Sequence, residues 1–155
     1  KITPDEELGL PDGNWTRVCV FMNVFDVHVN RSPMSGQITY KNYIPGAFFN
    51  ARMDKASSDN ERLILGMDTE NGKKIAFVQI AGLVARRIIC DVDIGSHLKS
   101  GDIFGIIRFG SRVDIYFPSE ASTKVLVGQK MIAGETIIAD FTKSSKPVTR
   151  KIDEK

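Results

Sequence analysis

Apolar and polar residues change over in short runs along this chain, and the runs have the spacing of strands rather than helices. Residues 17–29 are rich in β-branched and aromatic types, with partial alternation from Asn23 through Val24, Phe25, Asp26 and Val27 to His28. That pattern predicts a buried strand. Pro33 and Gly36 punctuate a turn, and 37–43 reads as a second strand ending at Pro45-Gly46. Segments 63–67 and 74–83 are strand-like on either side of Asp68-Thr69-Glu70-Asn71-Gly72, whose Asn-Gly pair tolerates positive φ and favours a hairpin. Further strands are expected over 86–92, 103–109 and 113–117. Residues 48–60 lack a clean period and become polar from Lys55 to Asn60, the pattern of a surface loop. No stretch offers three good turns of amphipathic helix, so the expected fold class is all-β and mainly antiparallel.

Segments 97–105 and 127–137 echo each other, each passing through a glycine turn into an apolar run. The second is similar to the half-barrel motif of lipoyl and biotinyl carrier domains. Using both copies would give a barrel-sandwich-hybrid-like antiparallel β domain with approximate internal duplication. One domain is expected over 1–141. The tail 142–155, dominated by Lys, Ser, Thr and Pro, has almost nothing to bury and is expected to be disordered.

Composition refines this reading only a little. The 155 residues are 42% hydrophobic and 26% charged, as in a globular protein with a core. A formal charge of +2 is too small to argue for nucleic acid. Cys19 and Cys90 have apolar neighbours, which predicts two buried thiols and a reducing compartment rather than a disulfide framework. No apolar run approaches the roughly 18 residues that cross a bilayer. Lys1 begins no signal-peptide pattern, and the expectation is a soluble or peripheral chain, with an upstream segment left open.

Seen alone, Gly110-Ser111 reads as a hairpin turn, because Gly-Ser pairs are common in turns. It stands in order with Phe25-Asp26-Val27-His28-Val29-Asn30-Arg31-Ser32-Pro33-Met34-Ser35-Gly36, Tyr43-Ile44-Pro45-Gly46, Asn60-Glu61-Arg62 and Gln79-Ile80-Ala81-Gly82. With these, Phe109-Gly110-Ser111 resembles the phosphatidylserine decarboxylase family in its short bacterial form, over about residues 17–137.

The resemblance implies a proenzyme that cuts itself between Gly110 and Ser111. Ser111 Oγ would attack the Gly110 carbonyl, which a residue without Cβ leaves approachable in a strained turn. Elimination and hydrolysis would then leave a covalent pyruvoyl cofactor, made from Ser111, at the head of a new chain. That group would form a Schiff base with phosphatidylserine and act as an electron sink while carbon dioxide leaves, giving phosphatidylethanolamine. No metal is implied. His28 matches a family histidine, to which acid/base work in decarboxylation is assigned; by itself a histidine in an apolar strand reads as a core residue. Phe48 and Phe49 could meet acyl chains or a membrane interface, or fold back into the core. Asn60-Glu61-Arg62 could hold the loop or the cleavage turn, or form a solvated turn. The implied partners are phosphatidylserine, a membrane surface and a heterodimer of the two fragments, with further dimerisation open and no nucleic acid. The implied location is peripheral, on the cytoplasmic side of the cell membrane.

Two features depart from the family pattern. Longer relatives carry a second histidine three positions after the first, where this chain has Arg31, which cannot serve as a base. The family's Pro-Ala-Asp-Gly motif should lie just before residue 1, and Pro11-Asp12-Gly13 reads as an ordinary turn. The base for self-cleavage is therefore unassigned. His97, in a polar turn, reads as a surface residue. Two rival functions remain: a non-enzymatic carrier or adaptor using Lys130, and a pyruvoyl decarboxylase of a soluble amino acid.

Overall fold

The computed structural model describes residues 5–23, 25–83, 87–108 and 110–144. Among these, the chain forms β1 (Trp15–Met22), β2 (Val29–Arg31), β3 (Gly36–Ile44), one helical turn α1 (Ala56–Asp59), β4 (Arg62–Thr69) and β5 (Lys74–Ile80). It continues through β6 (Ile88–Cys90), β7 (His97–Leu98), β8 (Ile103–Ile107), β9 (Ser111–Pro118), β10 (Ala121–Thr123) and β11 (Ala139–Ser144). The fold is all-β, as the pattern predicts. One sheet has the order β1-β9-β5-β4-β3-β7, a second is β2-β8-β6, and β10 pairs with β11. Strand pairing is antiparallel throughout, and no sheet closes into a barrel among the described residues.

The large sheet is buried on both faces at its centre. Leu65, Met67, Ile75, Phe77, Ile115 and Phe117 point into one cluster, where Phe104 of β8 meets Phe77 edge-on at 4.9 Å. Ile64, Ala76, Val78, Ile80 and Tyr116 face the other way and are covered by Leu8 and Ala56. Burial on both faces accounts for the continuous apolar runs in β4 and β5. Each fully buried large side chain contributes about 1.5–3 kcal/mol, which makes this part of the sheet a firm frame for its neighbours.

Several expectations change in detail. The run 17–29 breaks after Met22, because Asn23 and Asp26 build a turn: Asn23 N donates to Asp26 Oδ2 at 2.8 Å and Phe25 N to Asn23 Oδ1 at 2.8 Å. The second glycine-turn segment, 127–137, forms turns without a strand and leaves Val127, Ile132 and Ile137 exposed. The loop 48–60 contains α1. β11 extends through Ser144, past the expected start of the tail, and 145–155 lie outside the described residues. Both thiols are free, but Cys19 is exposed and Cys90 half-buried, so neither sits fully in the core.

Candidate active site

β8 belongs to the three-stranded sheet and β9 to the six-stranded one. Gly110 and Ser111 therefore do not form the tip of a hairpin; they lie where the chain crosses from one sheet to the other. Gly110 takes a left-handed conformation, φ +64°, that favours glycine. Ser111 opens β9 opposite Met22 of β1 and is fully buried. Its Oγ makes no hydrogen bond to any described residue. A buried hydroxyl without a partner costs about 1–3 kcal/mol, so its retention calls for a reason other than stability. Phe109, the third residue of the motif, lies outside the described residues.

The surroundings of the crossing are firmly tied. Gln79, fully buried, donates to Asn30 Oδ1 at 2.8 Å and Ile89 O at 3.1 Å, stitching the two sheets together. Asn60 is also fully buried, which overturns its reading as part of a solvated turn. Its Nδ2 donates to Phe49 O at 2.8 Å and Ala81 O at 2.7 Å, while its Oδ1 accepts from Phe49 N at 3.0 Å. Arg62, buried, donates to Asn60 O at 2.9 Å and pairs with Glu7. Glu61 accepts a hydrogen bond from the Tyr43 hydroxyl at 2.6 Å, holding that phenol's pKa above its ordinary value.

On the other side of β9, Arg112 and Asp114 form a buried ion pair at 2.7 Å. Arg112 also donates to Ala51 O at 2.9 Å and Met53 O at 3.0 Å, and Ser57 Oγ donates to Asp114 at 2.7 Å. This network fastens the 51–57 segment across the strand that begins with Ser111. Tyr116, two residues further along, is pushed up to about 12 by burial first and by the Asp114 carboxylate second, with Arg17 opposing.

The other predicted residues fall at varying distance from this point. His28 stands just before β2, half-buried with its Nε2 buried, and its carbonyl accepts from Ile107 N at 3.2 Å. Ile107 packs with Met22 and Val113, which neighbour Ser111 across and along the sheet. His28 is thus at the same end of the fold. Arg31 is exposed and donates to Gly101 O at 2.9 Å. Phe49 is exposed beneath the Lys55 ammonium, 3.9 Å from its ring centroid, whereas Phe48 is half-buried. Residue-by-residue reading missed Phe25, which is 97% exposed on the Asn23–Asp26 turn three residues before His28. The polar residues around it were the available signal. His97 is exposed, as predicted; Lys130 is exposed in a segment without the hairpin that a carrier would need, and Pro11-Asp12-Gly13 forms a surface bend.

A cleft of about 1480 Å³ lies beside the site, lined by Val20, Met22, Phe104, Val113 and Ile138 among others. Ser111 and His28 do not line it, but Met22 and Val113 do. No cluster of His, Cys, Asp and Glu suited to a metal occurs among the described residues. No helix among them is long and apolar enough to cross a membrane.

The fold is an all-β domain with a Gly-Ser peptide where the chain passes between two sheets, and sequence comparison supplies the family. The profile of the phosphatidylserine decarboxylase family matches residues 4–139, and the chain belongs to that family. It is 56% identical over 138 residues to the phosphatidylserine decarboxylase proenzyme of Rickettsia akari (strain Hartford), covering 89% of this chain and 60% of that protein. It is 57% identical to the proenzyme of Rickettsia bellii (strain OSU 85-389), with the same shares covered. For the proenzyme of Ruegeria pomeroyi (strain ATCC 700808 / DSM 15171 / DSS-3) the identity is 55% over 141 residues, 91% of this chain and 64% of the relative. The chain thus spans about 60% of the length of the first of these relatives. No solved structure matches it.

Proposed function

We propose that this chain is the catalytic part of a phosphatidylserine decarboxylase that matures by cutting itself between Gly110 and Ser111. The observation that carries the reading is the buried Ser111 hydroxyl, which makes no hydrogen bond to a described residue, next to a left-handed Gly110. In the first step Ser111 Oγ bonds to the Gly110 carbonyl carbon, the Gly110–Ser111 C–N bond breaks, and the hydroxyl proton ends on the departing nitrogen. Loss of the Ser111 α-proton then expels Gly110 as a carboxylate by breaking the Cβ–Oγ bond. Water replaces the nitrogen, which leaves as ammonia, so residue 111 becomes a pyruvoyl group at the head of the new chain.

The residues present fit such a group, since position 111 is buried, held in a strand, and its side chain makes no competing hydrogen bond to a described residue. When formed, the pyruvoyl supplies an electron sink for decarboxylation of an amino acid headgroup. His28, with its imidazole partly buried at the same end of the fold, is assigned the proton transfer that accompanies loss of carbon dioxide. Phosphatidylserine is the substrate by family, and phosphatidylethanolamine the product. Phe25, Val27 and Phe49, all exposed, support contact with a membrane surface; the cytoplasmic side is the expectation from the family alone. The two fragments would stay together as a heterodimer.

The test is intact-mass spectrometry of the full-length gene product under denaturing conditions, beside Ser111→Ala. Two fragments split after Gly110, the second carrying a pyruvoyl mass and both absent from the variant, are expected. An uncut wild-type chain would remove the basis of the proposal. Activity that follows phosphatidylserine in vesicles, and not free serine, is expected of the cut protein.

A further inference from the structure

The residue that faces the scissile carbonyl is not Ser111 or His28 but Gly82. Continuing the β5–β9 register past Ile80 and Arg112 would set Ala81 opposite Ser111 and Gly82 opposite Gly110. The backbones approach there more closely than a side chain permits. A Cβ built on Gly82 would lie 1.8 Å from Gly110 O, 2.8 Å from Gly110 C and 3.5 Å from Ser111 N. The Gly82 α-carbon is consequently in Cα–H···O range of the carbonyl that self-cleavage must attack. At Gly110 itself a Cβ would meet nothing within 4 Å, so the steric demand is on position 82.

The backbone that presses on the carbonyl is itself fixed. Ala81 O accepts from Asn60 Nδ2 at 2.7 Å and Ala81 N donates to Glu61 O at 3.0 Å. Both polar groups of the preceding residue are thus satisfied by the two residues just ahead of β4, and Asn60 is fully buried. We propose that Gly82, backed by Asn60, is a positioning residue for self-cleavage: lacking a side chain, it lets the clamped backbone hold the Gly110 carbonyl where the Ser111 hydroxyl reaches its carbon. The inference rests on the self-cleavage reading. It makes a demand that applies before the cut and not after it, because a severed Gly110 is a chain end that can move away.

Gly82→Ala, in the full-length protein, separates the two stages. Its self-cleavage, followed by mass spectrometry during a chase, is expected to slow by about 100-fold, the scale of a misplacement near 1 Å. In the fraction that does mature, turnover per pyruvoyl group is expected to match the wild type. A core variant of equal melting temperature, such as Leu65→Val, should cleave at the wild-type rate. Cleavage of Gly82→Ala at the wild-type rate overturns the inference alone. Turnover per pyruvoyl reduced as much as cleavage overturns it in favour of a general structural role. An uncut wild type removes the self-cleavage reading and this inference with it. Should Gly82→Ala fail to fold, Asn60→Asp decides by the same two readouts: it keeps the size and the acceptor but loses the donor to Ala81 O, and slower cleavage with unchanged turnover is expected.

Discussion

Gly72 and Gly110, both with left-handed backbone, stand ahead of inner strands of the six-stranded sheet, Gly72 before β5 and Gly110 before β9. At both positions an added Cβ would meet nothing within 4 Å, with φ +79° at the first and +64° at the second. The hairpin at Gly72 satisfies its own polar groups: Thr69 N donates to Lys73 O at 2.9 Å, Gly72 N to Thr69 O at 3.0 Å, and Lys73 N to Thr69 Oγ1 at 3.1 Å. The crossing at Gly110 leaves the Ser111 hydroxyl without a hydrogen-bond partner among the described residues. Anchoring differs as well. β5 opens with the half-exposed pair Lys74–Asp68, whereas β9 opens with the buried pair Arg112–Asp114. β9 is held hard by one face while the Ser111 hydroxyl on the other makes no hydrogen bond to a described residue, as the proposed self-cleavage would require, and the hairpin shows a left-handed glycine in a turn that satisfies itself.

The sharpest way to break this contrast is to remove the anchor of β9. In a Ser111→Ala background that stays uncut, Asp114→Ala should lower the unfolding free energy by about 3–5 kcal/mol in urea titrations, because it strands the buried Arg112 charge. The next effect is on pH. The folded protein holds the Tyr116 proton more tightly than the unfolded chain does, so that stability is intact below pH 10 and lost as pH rises toward about 12. Alkaline unfolding curves should show this loss, and Tyr116→Phe should remove that part of the slope. Gly72→Ala and Gly110→Ala should each cost about 1 kcal/mol from backbone strain, yet only Gly110→Ala should also slow self-cleavage. Smallest of all, Asp68→Ala should cost less than about 1 kcal/mol, since its ion pair is open to solvent.

The hairpin at Asn71-Gly72 was legible in the sequence because everything that makes it lies within five residues. β3, β4, β5 and β9 were legible from their apolar runs, with ends displaced by a few positions. The crossing at Gly110 was not, since a turn between paired strands and a step between two sheets use the same local residues and differ only in where each strand finds partners. Asn60-Glu61-Arg62 read either as a hold on the loop or as a solvated turn, and local sequence could not choose: the burial of Asn60 depends on the carbonyls of Phe49 and Ala81, one of them far along the chain. β7 and β10, two and three residues long, are too short to carry a period. The apolar residues of 127–137 suggested a strand, but no strand among the described residues pairs with them. Ser111 and Gly110 entered through family resemblance, and their composition alone pointed to an ordinary turn.

β9 lies between β1 and β5 and is paired with β1 along its whole length. Cutting the chain ahead of Ser111 would remove one covalent bond and leave both ladders in place. What changes is molecularity: the last third of the sequence becomes a ligand for the rest, docked as an inner strand and carrying Phe117 and Phe141 into the shared core. Its retention is then governed by mass action rather than by chain connectivity. The melting temperature of the cut protein should rise with its concentration, while that of an uncut variant should not. Maturation by the proposed cut would exchange a folding equilibrium for a binding equilibrium.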